Sequence, residues 1–251
     1  MSTGRERQIL ACSGVLFPPE DVPAEFAGAQ VRQATGLAGT LAGRRPRVCL
    51  VPTAVGDNQG ILDRWYASAA GFGDVDLSHL QLFAQPNVPD VRAHLLGQDV
   101  IWVPGGSVVN LLAVWRAHRL DVIMRECWEA GVVLAGGSAG SLCWHLGGVT
   151  DSFGDSLDPV TNGRGFLPFS NGVHDDQGDQ PRGRCFRELI ATGGLPDGYA
   201  TGDGVGLHYV GTELREAVGV LPDRSAWHVR RAEEGGYRET GIPARYWLPP
   251  R

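Results

Sequence analysis

A serine lies in a glycine-rich turn directly after an apolar run of the chain. Residues 131–137 read Gly-Val-Val-Leu-Ala-Gly-Gly, and Ser138, Ala139 and Gly140 complete a Gly-x-Ser-x-Gly pattern. A serine at such a strand-to-helix turn is exposed above the end of the sheet, where it can attack a carbonyl carbon. Gly136 and Gly140 let the strand and the helix approach each other, and the Ala139 N–H remains available to an oxyanion. The pattern predicts a nucleophilic serine.

The alternative for this turn is a tight glycine bend with an incidental serine. Glycine accounts for 36 of the 251 residues, so the bare pattern arises by chance in roughly one such chain in five. The surrounding residues favour the nucleophile. The β-branched Val132 and Val133 predict a strand before the turn, and residues 141–146 are compatible with a helix after it.

A serine nucleophile needs a general base, which is usually a histidine. Of the seven histidines, His174 is favoured, because Asn171 and Gly172 allow a turn that can direct its imidazole. The alternative is an exposed loop histidine beside acidic neighbours. His145, about two helical turns after Ser138, is the second candidate and is expected to pack against a neighbour instead.

The carboxylate that would orient the histidine is not determined by spacing, because such triads assemble in space. The acidic residues nearest these motifs are Asp151, Asp155, Asp158, Asp175, Asp176 and Asp203. A metal site is a further possibility for the segment that contains His174, Asp175, Asp176 and Asp179. No second histidine stands there at ligand spacing, so the sequence predicts no metal.

Short apolar runs alternate with helical patterns through the first two-thirds of the chain, which predicts βαβ units and a parallel sheet. The predicted strands cover residues 9–12, 47–52, 79–83 and 100–103, and the predicted helices 60–72, 89–96, 110–116 and 120–129. Ligand sites in such sheets lie at the carboxyl ends of the strands. Glycine-rich loops at 104–107 and 136–138 follow two strands and are expected to line one crevice.

The remaining third has a different pattern. Residues 147–185 are rich in Gly, Asp and Asn and predict long loops, which are more often functional than accidental. A helix is predicted near 184–192, and short strands at 205–210, 217–220 and 226–229. The ends, residues 1–7 and 243–251, are expected to be peripheral. Because neither a repeat nor a linker is visible, we expect one domain over residues 1–251.

Charge and composition narrow the function classes. The formal net charge is −6 and there is no basic tract, so nucleic acid and an anionic membrane are not expected partners. No run approaches the ~18 apolar residues that a membrane span needs, and no signal-peptide core precedes the first strand, so a cytoplasmic location is expected. The five cysteines form no Cys-x-x-Cys pair, which predicts reduced, buried thiols.

Five motifs stand in an order and spacing that is typical of one family: Pro104-Gly105-Gly106, Asn110-Leu111-Leu112, Gly137-Ser138-Ala139-Gly140, Thr150-Asp151 and Val173-His174. Over residues 45–220 the chain resembles the peptidase E (aspartyl dipeptidase) family of intracellular serine peptidases. The resemblance implies an α/β fold of three layers, α/β/α, with a mostly parallel central sheet, as in class I glutamine amidotransferases (flavodoxin-like).

The resemblance also implies roles for single residues. Ser138 matches the nucleophile, His174 the base and Asp151 the acidic member, while other members use a glutamate elsewhere. The Gly106 N–H matches the second oxyanion donor beside Ala139. Further residues expected to line the substrate site are Gly105, Ser107, Asp175 and Asp176, of which the two aspartates are also reserves for the acidic member.

The function implied is hydrolysis of short peptides by a serine exopeptidase through an acyl-enzyme, with neither a metal nor an organic cofactor, in a fold compatible with a homodimer. The family usually has Gly-Gly-Asn-Thr where this chain has Gly105-Gly106-Ser107-Val108, which weakens the expectation of a preference for N-terminal aspartate. The acidic stretch after His174 would also disfavour an acidic substrate, unless Arg182, Arg184 or Arg187 turns inward.

Two alternatives remain open. One is another serine acyl hydrolase: an esterase, an amidase, or a cyanophycinase-like depolymerase of polymers with a poly-aspartate backbone. The other is an amidotransferase-like domain that binds a small molecule without catalysis.

Overall fold

The computed structural model describes residues 5–14, 28–39, 43–175, 181–222 and 224–247. Seven α-helices and thirteen strands lie within these ranges. The strands are β1 (Gln8–Cys12), β2 (Arg47–Leu50), β3 (Asp76–His79), β4 (Val100–Val103), β5 (Val133–Gly137), β6 (Gly147–Thr150), β7 (Asp158–Val160), β8 (Ser170–Gly172), β9 (Gly198–Thr201), β10 (Val205–Val210), β11 (Glu213–Gly219), β12 (Ser225–Arg231) and β13 (Tyr237–Tyr246). The helices are α1 (Ala29–Leu37), α2 (Gln59–Ala67), α3 (Val91–Leu96), α4 (Val108–Ala117), α5 (Leu120–Glu129), α6 (Ala139–Leu142) and α7 (Arg182–Thr192).

The strands form one hydrogen-bonded series in the order β3-β2-β4-β5-β1-β10-β11-β13-β12-β9-β8-β6-β7. The first five are mutually parallel. The rest of the sheet is mixed, and it includes a parallel group in which β8 lies between β9 and β6. The predicted α/β class is therefore confirmed.

Helices cover both faces of the parallel half, because alternate residues of its strands point to opposite sides. On β1, Ile9 belongs to a core with α4 and α5, whereas Leu10 belongs to a second core with α1 and α2. Trp115 of α4 and Trp65 of α2 are fully buried, one in each core. Among the described residues, no helix combines the length and apolar character needed to cross a membrane.

Most predicted elements of this half are confirmed, although the helix predicted at 60–72 ends at Ala67 and two further differences occur. β4 and α5 coincide with their predicted ranges. The strand expected at 79–83 lies instead at 76–79, where it pairs with β2. The sequence reasoning missed α1, because its buried face includes Gln30 and Gln33 and has little apolar periodicity.

The loop prediction for residues 147–185 was wrong in part, since three short strands and the start of α7 lie there. Gly147 and Gly148 replace the aliphatic residues that usually indicate a strand. A Cβ at Gly147 would lie 2.0 Å from the Val160 carbonyl oxygen of neighbouring β7, so the close approach of the two backbones requires glycine.

The chain ends are also more integrated than predicted. Ala244 of β13 pairs with Ala217 of β11, and the Trp247 N–H donates to the Gly219 carbonyl at 2.8 Å. At the other end, Arg5 forms an ion pair with buried Asp99. Residues 1–4 and 248–251 lie outside the described ranges.

Asp99 joins three segments at the start of β4. Its carboxylate accepts hydrogen bonds from the Arg44 guanidinium at 2.6 and 2.8 Å, the Arg47 backbone N–H at 2.9 Å and Arg5 at 3.0 Å. Burial raises the pKa of Asp99, but the hydrogen bonds from Arg44, Arg47 and Arg5 outweigh it and hold the pKa at about 2. The folded state therefore favours the ionised carboxylate.

Replacement of Asp99 with asparagine is expected to cost about 2 kcal/mol of unfolding free energy at pH 7. The pKa is lower in the folded than in the unfolded chain, so this contribution is present above about pH 4 and is lost as the pH falls through 2. Urea unfolding of both proteins at pH 7 and pH 3 measures it. The control is Asp74→Asn, which alters the exposed Asp74–Arg45 pair and should cost under about 0.5 kcal/mol. An equal loss for both variants would contradict the prediction.

Candidate active site

Ser138 occupies a strained turn between β5 and α6. Its φ of 54° and ψ of −113° are unusual for a residue with a side chain, and such strain persists only where the surroundings impose it. The Ser138 N–H donates to the Cys12 carbonyl at the end of β1 at 3.0 Å. A Cβ at Gly140 would lie 2.0 Å from the Val103 carbonyl oxygen, and one at Gly136 2.4 Å from the same atom. These glycines therefore allow the close packing that forms the turn.

The helix after the turn begins earlier and is shorter than predicted. It spans Ala139–Leu142, whereas residues 141–146 were expected. Residues 143–146 form turns and bends that lead from the helix to β6 at Gly147. Ala139 is consequently the first helical residue, and its N–H has no acceptor within the helix.

His174 lies against Ser138. Its Nε2 is 2.9 Å from Ser138 Oγ, and the residue is 8% exposed. β8 ends at Gly172, so His174 stands at the carboxyl end of a parallel strand, where ligand sites of such sheets lie. Its φ of 58° is left-handed, and this conformation turns the chain directly after the strand.

Asp203 completes a hydrogen-bonded row of three side chains, Asp203–His174–Ser138. Its Oδ1 is 2.5 Å from His174 Nδ1, and it lies in the turn between β9 and β10. An Nδ1–H that donates to this carboxylate leaves Nε2 unprotonated, so Nε2 can accept the hydroxyl proton of Ser138. The row has the arrangement in which a histidine acts as general base toward a serine.

Asp151, assigned from the resemblance as the acidic member, is placed elsewhere, which corrects that assignment. Its Oδ2 is 2.5 Å from Arg182 Nη2, and its side chain is 43% exposed. β6 and β9 flank β8 on opposite sides, so Asp151 and Asp203 both follow parallel strands next to the one that carries His174. The imidazole turns toward the β9 side, and Asp203 occupies the position expected for Asp151.

Sequence reasoning included Asp203 among its candidates but could not rank it. The relevant signal would have been β9 itself, since Asp203 follows that strand with glycine on both sides. The prediction did not include β9, which is only four residues long.

Two residues predicted near the substrate have other partners. Asp175 binds Arg187 at 2.6 Å, and the Ser107 hydroxyl caps α4 by accepting from the Asn110 N–H at 3.2 Å. Asp176 and Asp179 lie outside the described residues. Among the residues that the structure does describe, no cluster of three or more His, Cys, Asp or Glu side chains could hold a metal ion.

The loop that contains Gly105 and Gly106 borders the serine. A Cβ at Gly105 would lie 3.1 Å from Ser138 Cβ, so the loop and the turn are in contact. Gly106 has a φ of 138°, and a Cβ there would lie 2.3 Å from the Ala54 carbonyl oxygen. Only glycine fits this position. The loop and the Ser138 turn thus meet at one edge of the sheet, as the sequence predicted.

His145, the second candidate base, is fully buried and packs away from the row. Its Nδ1 lies 2.9 Å from the Ser141 carbonyl oxygen and its Nε2 3.4 Å from the Tyr209 hydroxyl. Burial lowers the pKa of His145 to about 4, although the hydrogen bond to Ser141 opposes this shift. A neutral, packed histidine is the alternative that the sequence favoured for this residue.

Comparison with known proteins places these residues in a family. The model of peptidase family S51 matches residues 29–217. A Bacillus subtilis (strain 168) protein named "Uncharacterized peptidase YgaJ" is 39% identical over 204 residues, which cover 80% of this chain and 85% of that protein.

Two solved structures have a similar fold. A peptidase from an acI-B1 Actinobacterium superposes with a TM-score of 0.67 at 16% identity, covering 97% of this chain and 96% of the other. A putative peptidase E protein from Listeria monocytogenes EGD-e gives a TM-score of 0.60 at 16% identity, over 86% of this chain and all of the other. At this level of identity the likeness concerns the fold alone.

Proposed function

Because the chain belongs to peptidase family S51, and is therefore a peptidase, we propose that it is a serine exopeptidase that hydrolyses short peptides. The observation that carries the proposal is the row of hydrogen bonds from Asp203 through His174 to Ser138. In this proposal Ser138 is the nucleophile, His174 the general base and Asp203 the residue that orients it.

The proposed reaction has two halves. His174 Nε2 takes the proton of Ser138 as Oγ attacks the scissile carbonyl carbon, and the Asp203 carboxylate stabilises the imidazolium that forms. His174 then gives this proton to the leaving amine, so the peptide bond breaks and an acyl-enzyme remains. A water molecule then gives a proton to the same histidine and attacks the acyl carbonyl carbon. The bond to Ser138 Oγ breaks, and the histidine returns the proton to Oγ, which frees the acid product and restores the enzyme.

The developing oxyanion is assigned to backbone N–H groups. Ala139 starts α6 directly after Ser138, and Gly106 lies in the loop that contacts the serine turn. Two N–H groups aimed at one point stabilise the tetrahedral intermediate, and the loss of one such donor typically costs about 10²–10³-fold in kcat. A side chain at position 106 would displace this loop, because a Cβ there would lie 2.3 Å from the Ala54 carbonyl oxygen.

The proposal extends to the side chain of the substrate. The Ser107 hydroxyl is engaged in the cap of α4, and Arg182, the cation on Asp151, already has a carboxylate partner. We therefore expect turnover to extend beyond dipeptides with N-terminal aspartate.

The proposal also places the enzyme in the cytoplasm, where its five free cysteines stay reduced. A homodimer remains a prediction.

A panel of dipeptides with varied N-terminal residues tests the proposal, together with N-acetylated versions and a p-nitrophenyl ester. An exopeptidase that reads the free amino terminus should hydrolyse several dipeptides and lose most of its turnover when that terminus is acetylated. Ester hydrolysis without any peptide hydrolysis would favour another serine acyl hydrolase. Turnover confined to N-terminal aspartate would overturn the expected breadth, and no turnover at all would favour a binding domain.

A further inference from the structure

One buried serine contacts both His174 and Asp203, the proposed general base and the residue that orients it. Ser13 follows β1 and is fully buried. Its Oγ accepts a hydrogen bond from the His174 backbone N–H at 2.7 Å and lies 3.4 Å from Asp203 Oδ1. A serine hydroxyl has one donor and two acceptor lone pairs, so it can accept from His174 and donate to Asp203 at the same time.

The backbone of Ser13 is held by its own hydrogen bonds. Its N–H donates to the Val205 carbonyl at 2.7 Å. Its carbonyl oxygen accepts from the Gly204 N–H at 3.0 Å and from Gln30 Nε2 of α1 at 3.1 Å. Gly204 and Val205 directly follow Asp203, so Ser13 is attached to the turn that carries the carboxylate as well as to the carboxylate itself.

The backbone conformation of His174 depends on the hydrogen bond to Ser13. The left-handed conformation at its φ of 58° is unfavourable for a residue with a side chain and persists only where contacts impose it. The hydrogen bond from its N–H to Ser13 Oγ is such a contact, and without it a buried N–H would lose its partner. A change of backbone angle at His174 would swing Nε2 away from Ser138.

We propose that Ser13 is a positioning residue of the active site: its hydroxyl holds the His174 backbone and the Asp203 carboxylate in the arrangement that directs Nε2 at Ser138. The inference rests on the proposed function, since it assigns Ser13 a part in the same reaction. It goes beyond the family assignment because neither the motif pattern nor the sequence spacing involves residue 13.

The test replaces Ser13 with alanine and measures kcat, KM and the rate of Ser138 labelling by a fluorophosphonate. We expect kcat and the labelling rate to fall about 10- to 100-fold, as for a small misplacement of catalytic groups, with KM within about twofold of wild type. The matched control is Ser170→Ala. It removes another fully buried hydroxyl, which donates to the Pro196 carbonyl at 2.5 Å, and should leave kcat unchanged.

Combination with Asp203→Asn separates positioning from general destabilisation. If Ser13 acts through the His174–Asp203 pair, Ser13→Ala should reduce kcat much less in the Asp203→Asn background than in wild type. If Ser13→Ala reduced kcat by the same factor in the wild-type and the Asp203→Asn backgrounds, the proposal would be overturned. Should Ser13→Ala fail to fold, Ser13→Cys occupies similar space with weaker hydrogen bonds and should show the same loss of kcat.

These experiments distinguish failure of the proposed role of Ser13 from failure of the proposed function. Wild-type rates of labelling and hydrolysis in a folded Ser13→Ala protein would overturn the role of Ser13 and leave the proposed function intact. A folded wild-type protein that neither labels nor hydrolyses peptides would overturn the proposed function and the role of Ser13 with it.

Discussion

Replacement of Ser138 with alanine is expected to reduce kcat for peptide hydrolysis about 10⁶-fold, the scale seen when a serine peptidase loses its nucleophile. Ser138 Oγ is the atom that faces His174 Nε2, at 2.9 Å, and alanine removes only that atom. The turn itself depends on the glycines around it and on the Ser138 N–H bond to Cys12, which alanine retains. We therefore expect a folded and inactive protein.

Fluorophosphonate labelling with mapping of the adduct by mass spectrometry measures this directly. The wild type should carry one adduct, on Ser138, and the alanine variant none. Ser141→Ala is the matched control, because Ser141 lies on the same short helix, is fully buried and donates to Asn171 Oδ1 at 2.7 Å. It should keep the Ser138 adduct. An adduct on another residue, or full activity of Ser138→Ala, would contradict the assignment.

Replacement of Asp203 with asparagine is expected to lower kcat about 10⁴-fold with little change in KM, as loss of the orienting carboxylate does in other serine peptidases. The carboxylate accepts the Nδ1–H of His174 at 2.5 Å. An asparagine can offer an amide N–H there instead, which favours the tautomer that carries its proton on Nε2. A protonated Nε2 cannot accept the Ser138 proton.

Asp151→Asn is the paired experiment, since it alters the residue assigned from the resemblance. The Asp151 side chain is 43% exposed and bound to Arg182, so we expect kcat to stay within about fivefold of wild type, consistent with the small contribution of exposed ion pairs. A larger loss for Asp151→Asn than for Asp203→Asn would reverse the assignment.

The exchange of Asp151 for Asp203 follows from the topology of the sheet. In a parallel group the carboxyl ends of neighbouring strands meet at one edge, and β8 has such a neighbour on each side. An aspartate after either neighbour can reach the histidine that follows β8. The direction of the imidazole selects one of them, and it depends on the left-handed φ of His174 and on its hydrogen bond to Ser13.

The sequence by itself determined the features that local chemistry controls. Alternating apolar and helical segments specified the α/β class, because burial of a parallel sheet on both faces imposes that pattern. Gly136 and Gly140 around Ser138 indicated a strained turn, since glycine is required where backbones approach this closely. His174 stood out because it follows residues that permit a sharp turn.

Only the tertiary structure decided which groups meet across long separations in the chain. Asp203 lies between β9 and β10. Because β10 pairs antiparallel with β1, its start lies beside Ser13 at the end of β1, and because β9 pairs parallel with β8, its end lies near His174. The strands in the glycine-rich segment 147–172 and helix α1, with its buried glutamines, also lacked a readable pattern. Their positions depend on pairing and packing with distant segments, and such non-local contacts are not encoded in the local periodicity of the chain.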